Sequence, residues 1–284
     1  MSLEAINLYK IYYDEASFKA IAPPYLPLDN RNGSDGWFEL MPILNFLETH
    51  ELDPKAWYGF VSPKFPEKAN LELTDVTALI AADPQADVAL FSSRWLYLLW
   101  FDNVWTQGEA FHPGLIDSAE KFLRSLGHQP DLRREIGDFR DSVFSNFIVA
   151  RPAFWQEWRQ LARAYVDYTR AQGPDAADNR ATFYIGPATH YPLRTFVQER
   201  LACWVLSRGK YHVVHPDYIA QPIHNVDPTD PARGLRRLLR LTYASKKLAK
   251  GSGRAGRLGF KIARKLAVLA HGRKQSAFKG ARTG

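Results

Sequence analysis

Glu199 and Arg200 stand side by side ahead of the apolar run Leu201, Trp204 and Val205, with Phe196 just before them. A charged pair that opens an otherwise apolar helix serves chemistry only if it faces a cleft. The alternative is a capping or salt-bridge pair, favoured where a carboxylate lies in a first helical turn, and residue types alone leave both open. A second candidate is the polar run from Leu28 to Gly36, which holds Asn30, Asn32 and Asp35. In α/β proteins such loops, leaving the carboxyl ends of strands, carry ligands; Asn, Asp and Gly also populate turns for local reasons. A third is the aromatic stretch from Trp95 to Gly114, interspersed with Asn103, Gln107, Glu109 and His112. Such a surface suits sugar or base stacking, and equally plain core packing.

Stronger signatures are absent from the sequence. It contains no P-loop, HExxH, GxSxG or paired-cysteine zinc spacing. The histidines are scattered, no strand ends in a clear Asp-x-Asp, and one cysteine, Cys203, excludes a disulfide framework and points to a reducing, cytoplasmic setting.

The elements that must position these groups read as alternating strands and helices. Ala5 to Tyr13, Trp57 to Ser62, Ala86 to Phe91 and Asn146 to Ala150 are β-branched or aromatic runs, and Thr182 to Ile185 is a further strand. Helices are predicted over Trp37 to His50, Leu73 to Ala82, Leu115 to Leu126 and Phe154 to Ala171, the last opened by Pro152. Pro23 to Pro27 reads as loop. The fold class is α/β, a parallel or mixed sheet covered on both faces.

Charge divides the 284 residues into two parts. No Asp or Glu follows Asp230, whereas Arg233 to Arg282 contains 16 Lys or Arg, leaving 21 basic against 30 acidic side chains elsewhere. An acidic globule, residues 1–231, thus carries a basic tail, residues 232–284. Leu235, Leu238 and Leu239 in one segment and Leu258, Ile262, Leu266 and Leu269 in another follow helical spacing among lysines and arginines, with Gly251, Gly253 and Gly256 between. Basic helices with a leucine face suit an anionic membrane surface. Nucleic acid is the competing partner, but only Tyr243, Phe260 and Phe278 are there to stack on bases. No run of about 18 apolar residues exists to span a bilayer, and Met1 to Asn7 does not read as a leader.

Four blocks, in order, carry a family resemblance: Asn30 or Asn32 with Glu39 and Leu40; Gly59 to Phe65; Asn146 to Ala150 followed by Phe154 and Trp158; and Arg194 followed by Glu199, Arg200 and Leu201. This set resembles a glycosyltransferase-like family of bacterial capsule and lipopolysaccharide synthesis. The family's His-Tyr-Arg-Arg signature is missing, and Ser62, Pro63 and Lys64 occupy its place. The resemblance implies a GT-A-like (Rossmann-like) mixed sheet that binds a nucleotide-sugar donor. It implies Glu199 as the general base on an acceptor hydroxyl, with Arg200 holding diphosphate or orienting Glu199, and Glu109 and His112 on the acceptor side. Tyr9, Lys10, Asn30, Asn32, Asp35, Glu39 and Asn146 fall to the donor, and Lys64 stands where a metal-binding carboxylate pair would be expected. A divalent metal is therefore disfavoured, and no other cofactor is implied. The expected acceptor is a glycan or a lipid-linked precursor, met at the inner face of the cell membrane. The rival expectations are a non-catalytic, glycan-binding relative and a nucleic-acid binder acting through the tail.

Overall fold

The computed structural model describes residues 5–33, 36–69, 71–179, 181–183, 190–220, 233–251 and 253–282. β1 (Ile6–Tyr12) sends Leu8 to one face of the sheet and Tyr9 and Ile11 to the other, the two-residue period of a strand buried on both sides. Asp14 ends it by capping α1 (Glu15–Lys19), the Ser17 amide donating to its carboxylate at 2.7 Å. β2 (Leu26–Asp29) forms where the prolines predict loop. It is an edge strand, the position in a sheet that tolerates Pro27.

The chain continues through α2 (Leu40–Thr49), β3 (Trp57–Val61), α3 (Phe65–Ala69), α4 (Leu73–Ala81) and β4 (Val88–Leu90). Three helices follow, α5 (Trp95–Trp100), α6 (Val104–Phe111) and α7 (Leu115–Ser125), then β5 (Ile148–Ala150) and α8 (Pro152–Ala171). A small hairpin of β6 (Ala181–Phe183) and β7 (His190–Pro192) leads into α9 (Leu193–Gln198), α10 (Leu201–Ser207) and β8 (Val213–Val214). The basic tail is α11 (Arg233–Gly251) and α12 (Gly253–Arg282).

The main sheet has the order β2-β1-β3-β5-β4-β8, with β5 antiparallel to both its neighbours and the other pairs parallel. The mixed α/β sheet expected from the sequence is therefore present. From β1 the chain crosses to β2 on one side and then to β3 on the other, so the carboxyl ends of β1 and β3 border a switch point, where open α/β sheets leave a crevice. Loops after Tyr12, Asp29, Val61 and Leu90 all open on that edge, and the turn that enters antiparallel β5 joins them.

Two apolar layers hold the sheet. Phe60, Trp155, Tyr165 and Phe196 belong to the larger layer, with α2 and α8 against the strands; Leu8, Trp57, Phe65 and Phe147 belong to the smaller one beside α3 and α4. Burying each such Phe contributes roughly 1.5–3 kcal/mol. The Trp155 indole also donates to the Tyr58 carbonyl at 2.9 Å, so α8 is pinned to the central strand β3 by a hydrogen bond as well as by packing.

Candidate functional site

Glu199 and Arg200 do not open one helix. Glu199 ends α9 and Arg200 begins α10, and the break buries the Arg200 side chain while leaving that of Glu199 at the surface. Arg200 turns inward: its guanidinium donates to the Val104 carbonyl (2.9 Å), the Gln107 side-chain oxygen (2.7 Å) and the Phe196 carbonyl, and it is 6% exposed. Its donors are thus engaged away from the cleft, which leaves it no free fork for a diphosphate, while its Nη1 lies 3.8 Å from the Glu199 carboxylate. Gly108 is bare because a Cβ there would come within 2.8 Å of the Arg200 Nε.

Glu199 turns outward. Its side chain is 52% exposed, yet the surrounding protein withdraws enough hydration to raise its pKa from the ordinary 4.5 to about 7. Arg200 opposes that shift, Glu39 adds to it, and Lys68 and Arg94 oppose it more weakly. Glu39 comes from the loop after β2, Lys68 from α3 after β3 and Arg94 from the turn after β4. A solvent-reachable carboxylate that titrates near neutrality can accept a proton from a bound hydroxyl.

The loop from Asn30 to Glu39 is hung on α9. Thr195 Oγ1 donates to the Gly36 carbonyl (2.8 Å), Gln198 Nε2 to the Trp37 carbonyl (3.2 Å), and Asn30 Nδ2 to the Phe38 carbonyl (3.0 Å). Gly36 and Phe38 take left-handed φ of 75° and 40° to make the turn. Glu39 is thereby delivered next to Glu199, and to the Tyr13 hydroxyl just past the end of β1. Burial, then the charge and hydrogen bond of Glu39, raise the Tyr13 pKa, so the phenol stays protonated as a donor; Asn30 also bonds it.

A further polar group lies where β3 ends and β5 begins. The β3–β5 register pairs Gly59 with Val149, and continued it sets Asn146 across from Ser62. The Asn146 Oδ1 and the Ser62 Oγ are both buried without a hydrogen-bond partner among the described residues, each at a cost of about 1–3 kcal/mol. Ser145 and Asn146 both adopt left-handed φ, 67° and 50°, a backbone choice that costs roughly 1–2 kcal/mol per residue. The Ser145 hydroxyl lies 2.9 Å from that of Ser93. Left-handed backbone and buried polar atoms thus fall together at the carboxyl edge.

Of the residues singled out from sequence, the structure thus brings Glu199, Glu39 and Asn30 together, with Asn146 on the same edge. Lys64 is exposed in the turn after β3, and the charge that reaches Glu199 comes from Lys68, one helical turn on, whose amide donates to the Lys64 carbonyl at 2.9 Å. Tyr9 stacks on Phe60 and Phe46 within the core, and Lys10 projects to the other face, over the Tyr25 ring at 4.2 Å. Asn32 is exposed, and Asp35 lies outside the described residues. Two expected acceptor-side groups are structural instead. His112 is buried, stacked on Phe196 with ring centroids 3.5 Å apart; burial, then Arg200, lowers its pKa to about 4, so it stays neutral at physiological pH. Glu109 caps α7, its carboxylate accepting from the amides of Gly114 (3.1 Å) and Ile116 (2.8 Å). Replacing Glu109 by Ala should therefore lower stability by about 1–2 kcal/mol in a denaturant titration.

Tyr13, Lys68, Arg94, Ser62, Ser93 and Ser145 were not among the sequence candidates. Their one shared signal is position, just past a strand's carboxyl end, in α3 after β3 for Lys68, or just before β5 for Ser145. Among the described residues no group of three or more His, Cys, Asp or Glu is placed to hold a metal ion. Two cavities of about 390 and 410 Å³ lie elsewhere, one among Asn103, Glu135, Cys203 and Lys250, the other among Phe139, His215, Tyr218 and Tyr243; neither includes Glu199.

Fold and site together define an α/β protein with a near-neutral carboxylate, a phenol and two cations at the carboxyl edge of its sheet. Compared with known proteins, the chain matches no family model, no curated protein and no solved structure.

Proposed function

We propose that the protein is a GT-A-like glycosyltransferase that moves a sugar from a nucleotide-sugar donor to a glycan hydroxyl, in the manner of bacterial surface-polysaccharide synthesis. The observation that carries this reading is Glu199: half exposed, at the carboxyl edge, with a pKa of about 7. In the proposed reaction the acceptor oxygen gives its proton to the Glu199 carboxylate as it attacks the anomeric carbon. The bond from that carbon to the donor phosphate breaks, and the nucleoside diphosphate leaves with the electron pair.

Lys68 and Arg94 are the cations at hand for the charge that develops on the leaving diphosphate, with Lys64 at the start of the same turn. The hydroxyl of Tyr13, just past the end of β1, supplies a directional hydrogen bond for sugar or nucleotide.

The test is a thermal-shift panel over nucleotide sugars, with and without manganese, followed by turnover with the donor that shifts the melt. One donor should stabilise the protein in proportion to the logarithm of its concentration, and its nucleotide should appear as product. A melt unmoved by every nucleotide sugar would overturn the reading. A shift without turnover on any acceptor would favour a non-catalytic glycan-binding protein.

A further inference from the structure

The tail is not a loose basic segment. α11 and α12 form an antiparallel hairpin, with Thr242 Oγ1 donating to the Ala263 carbonyl (3.3 Å) and the Lys246 ammonium 5.4 Å from the centre of the Phe260 ring. One side of the hairpin is docked on the body. Leu235, Leu239, Thr242 and Lys246 on α11, and Phe260, Ala263 and Ala267 on α12, are buried there. Several cations counted from sequence are committed to that contact. Lys246 donates to the Leu98 carbonyl and, at 2.7 Å, to the Phe101 carbonyl, closing the C-terminal end of α5. Lys250 pairs with Asp141 and Asp138, and Arg264 with Asp102 at 2.7 Å.

The other side is apolar and open. Leu241 and Leu248 on α11 and Leu258, Ile262, Leu266 and Leu269 on α12 are each more than half exposed. On α12 the four recur at four-, four- and three-residue steps, one stripe of about 17 Å at 1.5 Å per residue. Lys261 and Lys265 flank that stripe, and Arg237 and Lys247 flank the leucines of α11, all four exposed. No acidic side chain occurs anywhere in the tail. No described helix is long and apolar enough to cross a membrane.

We infer that this outer face of the α11–α12 hairpin lies in the surface of an anionic bilayer, its leucines and isoleucine among the acyl chains and its flanking lysines and arginines at the lipid phosphates. A second copy of the chain fits the face poorly, because a symmetric contact would set like charges against each other. Nucleic acid fits poorly too: Phe260 is buried and Tyr243 packs on Phe139 at 4.3 Å, so these two rings face inward. The hairpin is bolted to α5, which begins at Trp95 beside Arg94, so the bilayer is held to the helix that leaves the Glu199 site. Resting on the sugar-transfer reading, this names the acceptor class: a glycan carried on a lipid.

The experiment is co-sedimentation of the full chain with phosphatidylcholine vesicles, with and without phosphatidylglycerol. Wild type should bind the anionic vesicles, more weakly as salt rises. Leu258→Ser, Ile262→Ser and Leu266→Ser combined should weaken binding by about tenfold or more, and Lys261→Glu with Lys265→Glu should abolish the preference for phosphatidylglycerol. Both variants should melt as wild type does, because none of these side chains is buried. Vesicle binding unchanged in both variants would overturn the inference. So would a wild-type dimer in light scattering that binds no vesicles and that the serine variant splits into monomers. Binding by Glu199→Gln should equal that of wild type, so failure of the catalytic reading and failure of this one are separable.

Discussion

Glu199→Gln is expected to abolish sugar transfer while making the folded protein more stable at pH 8. The amide is nearly isosteric but cannot accept the acceptor's proton, and removing a positioned general base typically lowers turnover by about 10²–10⁴-fold. The stability effect follows from the same cause. Desolvation by the surrounding protein raises the Glu199 pKa from 4.5 to about 7, so between those values the folded state keeps a proton that the unfolded chain has lost. The contribution of the group is therefore most favourable below pH 4.5 and falls as pH rises to 7, beyond which the folded protein carries the full cost of the desolvated carboxylate. Glutamine carries no such cost. Melting temperatures of the two proteins should converge at pH 5 and separate at pH 8, with the variant higher. Wild-type kcat/KM should rise through pH 7 on its acid limb. A variant that keeps wild-type turnover removes the base assignment, and one that melts lower at pH 8 removes the desolvated environment.

Much of the scaffold for this chemistry was legible in the sequence, because it is encoded locally. β1, β3, β4 and β5 are β-branched or aromatic runs, and α7 and α8 show clean apolar periodicity. β2 was hidden because Leu26, Pro27, Leu28 and Asp29 look like loop, and only the sheet edge excuses the proline. The site was legible in part. Glu199 stood out as a charge in an apolar context, but nothing local shows that the helix breaks at that residue and buries Arg200. Glu109 and His112 stood out for the same reason as Glu199, and tertiary packing made one a helix cap and the other a core ring. Tyr13, Lys68 and Arg94 are ordinary surface residue types in sequence; three separate segments, after β1, β3 and β4, bring them to the carboxyl edge. Tail composition showed a basic, leucine-striped element, but which cations face the protein is a property of the docked hairpin.

Arg200→Met should destabilise the protein by about 3–5 kcal/mol and shift the pH dependence of whatever activity remains. The guanidinium ties α6 to the α9–α10 junction through Val104, Gln107 and Phe196, over the bare backbone of Gly108. Methionine fills much of the same volume, but strands those acceptors without donors in a buried place, where each loss is felt in full. Arg200 is also the foremost charge that opposes the rise in the Glu199 pKa. With it gone, the carboxylate should hold its proton to higher pH, and the acid limb of kcat/KM should move upward. That movement separates a positioning role from a merely structural one, since a loosened fold alone lowers kcat without displacing the limb. Arg200→Lys retains a charge but not the three-way fork, and should restore part of the limb's position while recovering little stability. Denaturant titrations and pH profiles of the two variants test both statements. Were both to melt like wild type, the inward tie would not hold this junction; were the limb to stay fixed in Arg200→Met, Arg200 would not set the proton affinity of Glu199.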